Sequence, residues 1–142
     1  MQTPSEVIET WFRRVWSEED SSAIGQLFVP DGKATGLGAN VLVGPDGFRQ
    51  FHEVMCGLLT EFRVEMDHLI ESDAWASTIC TLHARVRATG TPVTMTGSVL
   101  FRIVEGKITE AYNHWDFLGL FAQMGLLPEN AFEQALRGER IG

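Results

Sequence analysis

Apolar and polar positions follow two different periods along this chain, and the switch between them outlines the fold. Val7, Ile8, Trp11, Phe12, Val15 and Trp16 recur as one broad apolar stripe at helical spacing, with Arg13 and Arg14 on the other side. Thr3-Pro4-Ser5-Glu6 sets the start of that helix, with Thr as N-cap, Pro where its missing N–H costs nothing, and Glu three residues on to close a capping box. Glu18-Glu19-Asp20 ends the stripe, and Ser22 to Phe28 reads as a short second helix stopping before a Pro30-Asp31-Gly32 turn. Lys33 to Val43 carries Gly36 and Gly38 and reads as a short strand or bent ribbon. Gly44-Pro45-Asp46-Gly47 opens a third helix, whose apolar face is Phe48, Phe51, Met55 and Leu58.

After Thr60 the period becomes that of strands and stays so for about fifty residues. Arg63 to Ile70 is one strand, closed by Ser72-Asp73. From Trp75 to Ala88, the residues Ala76, Thr78, Cys80, Leu82, Ala84 and Val86 face one way, while Ser77, Thr81, His83, Arg85 and Arg87 face the other. Thr89-Gly90-Thr91 turns the chain, Val93 to Ile103 alternates again, Glu105-Gly106 is a two-residue hairpin signal, and Ile108 to Trp115 is the last strand. A helical stripe returns with Phe117, Leu120, Phe121 and Met124, Gly125 ends it, and Pro128 to Arg137 suits a further short helix. The class is α+β: a curved antiparallel sheet packed against N-terminal helices on one face, a layout that can leave a pocket between the layers.

Composition narrows the functions such a domain can perform. The 142 residues, 44% hydrophobic, suit one domain, and no apolar run approaches the about 18 residues that cross a bilayer. A formal net charge of −8 with scattered arginines argues against nucleic acid and anionic membranes as partners. The N-terminus lacks the basic and apolar regions of a secretion signal, so the expected location is cytoplasmic. Cys56 and Cys80 form no CxxC pair, and His52, His68 and His83 stand at no metal-ligand spacing, so neither a metal nor another cofactor is expected.

Gly106-Lys107-Ile108, followed by the run from Asn113 through His114, Trp115 and Asp116 to Gln123-Met124-Gly125, resembles the end of the SnoaL-like polyketide cyclases of the nuclear transport factor 2-like superfamily. Leu27-Phe28-Val29-Pro30-Asp31, Gly44-Pro45-Asp46-Gly47-Phe48 and Leu69-Ile70-Glu71-Ser72-Asp73 extend the likeness over nearly the whole chain as one SnoaL-like domain, residues 1–142. The resemblance implies a cone-shaped sheet and helix layer enclosing a cofactor-free pocket for a small apolar, carbonyl-bearing molecule, in a homodimer paired through the outer sheet face. It also implies that Asp116 is a general acid/base in intramolecular aldol ring closure. Where those cyclases carry a histidine on the penultimate strand, this chain has Val99. Phe12 and Gly36 stand where ketosteroid isomerases have their tyrosine and aspartate, and His83-Ala84-Arg85 with Asn113 is the nearest fragment to the limonene epoxide hydrolase residues.

The residues themselves leave two roles open for Asp116. Flanked by Trp115 and Phe117, it could face an apolar cavity, where desolvation would raise its pKa into the range of a useful base. Between a strand and a helix, where Asp is a favoured N-cap, it is also suited to cap the helix by accepting the N–H of Leu118 or Gly119, which would lower its pKa. His114, two residues away, shares its strand face and could pair with it, while Asn113, of opposite parity, could donate to a substrate carbonyl. The expected site therefore comprises Asp116 and His114 as catalytic groups, with Trp11, Phe12, Trp16, Val99 and Asn113 contacting substrate. The other readings on this fold are a ligand-binding module without catalysis and a related lyase or hydrolase acting in the same pocket.

Overall fold

A computed structural model describes residues 2–142. Its first helix, α1 (Pro4–Trp11), begins as the sequence predicts: the Thr3 hydroxyl accepts from the Glu6 N–H at 3.3 Å and the Glu6 carboxylate accepts from the Thr3 N–H at 3.4 Å. The helix then widens into a π turn over Phe12–Ser17. The predicted stripe is thus one continuous apolar face carried by two kinds of helix, with Val7, Ile8, Trp11, Phe12 and Val15 all buried. Helix α2 (Ser22–Leu27) follows, then strand β1 (Phe28–Thr35), strand β2 (Leu42–Val43) and helix α3 (Gly44–Leu58).

Strand β1 corrects the expected Pro30-Asp31-Gly32 turn, because the chain runs extended straight through it. The ladder between β1 and its neighbour is interrupted between Phe28 and Lys33, so the proline, which has no N–H to donate, occupies a stretch without regular pairing. The expected third-helix face also needs correction at its end. Phe48 and Met55 are buried, but Leu58 is exposed, and His52 takes a buried place in that face.

Four long strands, β3 (Leu59–Ser72), β4 (Trp75–Val86), β5 (Pro92–Val104) and β6 (Lys107–Trp115), form an antiparallel meander. The six strands lie in the order β2-β1-β6-β5-β4-β3, with β1 running parallel to β6, so the sheet is antiparallel except at that pair and is not closed. Glu105 and Gly106 both have positive φ, the geometry of a two-residue hairpin that follows the twist of β5 and β6. Alternation along β4 and β5 sends Ala76, Cys80, Leu82, Ala84, Val93, Met95, Val99, Phe101 and Ile103 inward, where the helices cover them. Two contiguous cores result, one centred on α1, α2 and β1, the other on α3, β3 and α4 (Phe117–Gln123). A last short helix, α5 (Ala131–Leu136), completes the chain, and no helix among the described residues is long and apolar enough to cross a membrane.

Candidate functional site

Between the helical layer and the sheet lies a cavity of about 60 Å³, walled by seven of the chain's nine phenylalanines and three of its four tryptophans. The rings meet edge to face: Trp11 with Phe48 at 5.0 Å between centroids, Phe12 with Phe101 at 6.0 Å, and Trp16 with Phe51 at 6.2 Å. Trp16 also leans on Phe62 at 5.3 Å. Leu37, from the bent segment between β1 and β2, reaches the same cavity. That segment approaches β6 closely at Gly36, whose φ is +83° and where a Cβ would lie 1.8 Å from the Asn113 carbonyl oxygen. Only glycine fits there.

Asn113 is the single side chain on the cavity wall, among the described residues, that carries an amide, hydroxyl or ionisable group. It is 8% exposed, and its orientation is fixed by its partners. The Trp115 indole N–H can only donate and lies 3.2 Å from the oxygen of the amide, while the Thr35 carbonyl can only accept and lies 3.0 Å from its nitrogen. That leaves one amide N–H and one oxygen lone pair of Asn113 for a ligand. The expected opposition of Asn113 to His114 along β6 holds, and the inward face is the one Asn113 shares with Trp115.

The structure divides the expected site in two. Trp11, Phe12, Trp16 and Asn113 line the cavity. Val99 is buried in the adjoining core but does not reach the cavity wall. His114 is exposed on the opposite sheet face, where it and Asp116 border a shallow, open groove with Ile79, Thr96 and Ser98. The Asp116 carboxylate is not in the apolar cavity; it caps α4, accepting the Gly119 N–H at 2.9 Å. The strand ends at Trp115, so the carboxylate turns toward the first turn of the helix, where unpaired N–H groups attract it. Gly119 permits the approach, since a Cβ there would lie 2.4 Å from the carboxylate. A paired His114–Asp116 hydrogen bond is not formed in this arrangement.

Sequence reasoning missed most of the wall. Phe48 and Phe51 read only as the apolar face of a helix and Phe62 falls just before the expected strand, and the signal that sets the three apart is their convergence with the first-helix aromatics on one volume. No group of three or more His, Cys, Asp or Glu side chains among the described residues could hold a metal ion. Burial, and secondarily the charge of Glu19, push the Cys56 thiol up to about 11, and burial raises Cys80 as well.

Comparison with known structures agrees with this architecture. A protein with a ketosteroid isomerase-like fold from Catenulispora acidiphila, solved in complex with trimethylamine, superposes with a TM-score of 0.74 at 20% identity, over 88% of this chain and 95% of that one. IdmH of Streptomyces antibioticus, a candidate polyketide cyclase, gives 0.74 at 18% identity over 87% and 99%. An epoxide hydrolase of the limonene epoxide hydrolase type from M. tuberculosis gives 0.68 at 15% over 94% and 95%. These likenesses are of fold. The sequence matches no curated protein. The SnoaL-like polyketide cyclase model matches residues 6–124, and by that match, which takes in both cores, the whole meander and the strand-to-helix junction at Asp116, the chain belongs to the SnoaL-like polyketide cyclase family.

Proposed function

We propose that this domain binds a compact, uncharged, largely apolar molecule in the aromatic cavity and orients it through one hydrogen bond from Asn113. The observation that carries the proposal is the wall itself: ten aromatic side chains surround a volume whose one amide group, that of Asn113, retains an N–H for a ligand. Burying an unpaired charge there would be costly, so a neutral ligand with one acceptor, such as a small ketone, is the best match. The free space of about 60 Å³ is well below the roughly 150 Å³ of a cavity that takes benzene. Even cyclopentanone, with as many non-hydrogen atoms as benzene, therefore requires aromatic side chains to move, and ligands of polyketide size require a larger rearrangement.

Titration with cyclopentanone, followed by the indole N–H signals of uniformly labelled protein, tests the proposal. Trp11, Trp16 and Trp115 line the cavity and Trp75 does not, so three signals should shift saturably while the fourth stays. No saturable shift, or shifts confined to His114, would count against it.

A second reading follows from the family. In it, the Asp116 carboxylate takes a proton from a carbon activated by neighbouring carbonyls, the resulting enolate carbon bonds to a second carbonyl carbon, and the proton returns to the new alkoxide. One Asp116 oxygen accepts from Gly119, and the other has no hydrogen-bond partner among the described residues, which favours this reading. It places the substrate in the outer groove, with His114 alongside. Turnover of a diketone that survives Asp116→Asn would exclude it. The chain is also proposed to pair with a second copy through the outer sheet face, where Ile79, Leu100 and Tyr112 are exposed; a sedimentation mass of one chain would exclude that pairing.

A further inference from the structure

The π turn and the buried His52 are unused by either reading, yet they meet behind the cavity wall, at Trp16. An α-helix turns about 100° per residue, which would set Trp11 and Trp16, five residues apart, about 140° from one another. A π turn closes over five residues and brings such a pair onto one face. Both tryptophans, with Phe12 between them in sequence, line the same cavity.

The wider turn leaves one carbonyl without a backbone donor. Glu18 donates to the Arg13 carbonyl at 2.9 Å, Asp20 donates to Arg14 at 3.0 Å, and Glu19 donates to Trp16 at 3.2 Å, so the sequence of acceptors passes over Val15. Val15 is fully buried, so its carbonyl needs a donor from within the protein. The donor comes from another element: His52, 4% exposed on α3, has its Nε2 2.6 Å from the Val15 carbonyl oxygen. A carbonyl can only accept, so Nε2 carries the proton. The same imidazole packs on Trp16, 4.9 Å between ring centroids.

We infer that His52 is a positioning residue for the ligand cavity: by satisfying the Val15 carbonyl it holds the π turn open and keeps Trp16 in the wall beside Trp11. Without that N–H, the carbonyl regains a backbone donor when the turn tightens to α, and tightening rotates Trp16 away from the cavity. The inference rests on the cavity reading for its ligand readout, whereas its conformational readout is independent of any ligand.

Two variants test it. His52→Leu removes the donor at similar size, and His52→Gln supplies an N–H near the Nε2 position. The readouts are the cyclopentanone Kd, the nuclear Overhauser contacts between the Trp16 and Phe62 rings, and the melting temperature. His52→Leu should lose the Trp16–Phe62 contacts and weaken binding about tenfold, as expected for a lost buried donor, while His52→Gln restores both to within about threefold. If His52→Leu does not fold, His52→Asn, whose amide is too short to reach Val15, takes its place. Retention of the Trp16–Phe62 contacts in the donor-free variant, or equal loss in the Gln variant, would overturn the inference. Failure of the wild-type chain to bind cyclopentanone would instead remove the cavity reading, and the ring contacts alone would then decide the role of His52.

Discussion

Replacing Asp116 by alanine and by asparagine separates a helix cap from an acid/base group more cleanly than any single substitution. The carboxylate is exposed and accepts one N–H, from Gly119, so the loss on truncation is that of an N-cap, about 1 kcal/mol. With an unfolding entropy of about 2.1 cal/mol/K per residue, the 142-residue chain has roughly 0.3 kcal/mol/K, and the expected drop in Tm for Asp116→Ala is about 3 K. Asparagine caps nearly as well, so Asp116→Asn should melt within about 1 K of the wild type. Calorimetry of the three proteins at neutral pH gives the Tm values, and the cyclopentanone titration gives binding on the same samples. The account expects alanine to lower Tm, asparagine to leave it, and both to bind as the parent does. An Asp116→Ala variant that melts like the wild type but no longer binds would refute the capping argument and place the carboxylate at the ligand.

Gly36→Ala should destabilise the fold by about 3 kcal/mol or more, because the new methyl collides with the Asn113 carbonyl and the positive φ is also lost to strain; urea unfolding measures it. The Cys56 thiol, raised to about 11, should react with iodoacetamide at pH 8 at least about a hundredfold slower than a free peptide thiol, and denaturation should restore the rate. Asp20 titrates below its ordinary 3.8, chiefly because the Ser22 hydroxyl and then Arg14 donate to its carboxylate. A carboxyl with a depressed folded pKa adds stability above its unfolded value and loses it as pH falls through the folded one, so Asp20→Asn should flatten the melting-temperature profile between about pH 4 and pH 2.

The period of apolar positions carried the architecture because both helix and strand burial repeat within a few residues. Thr3 as N-cap, the inward face of β4 and the Glu105-Gly106 hairpin were all readable from neighbours in sequence. The π turn was not, since one added residue within a broad stripe leaves the same residues apolar while changing which of them converge. Pro30-Asp31-Gly32 read as a turn because its residue types favour one, and the pairing that keeps β1 extended comes from β6, about eighty residues away. The site divided for a similar reason. Strand parity correctly set His114 and Asn113 on opposite faces, but only tertiary packing decides which face looks onto the helices. His52 shows the limit most clearly: its partner, the Val15 carbonyl, belongs to a backbone irregularity that side-chain pattern does not encode.

The most direct test of the central claim is a crystal structure of the chain with cyclopentanone bound. The account places the ring among Trp11, Trp16 and Phe62, with the ketone oxygen within hydrogen-bond reach, about 3 Å, of the Asn113 amide nitrogen. A ketone found instead in the outer groove, against Asp116 and His114, with the aromatic cavity unchanged, would contradict it.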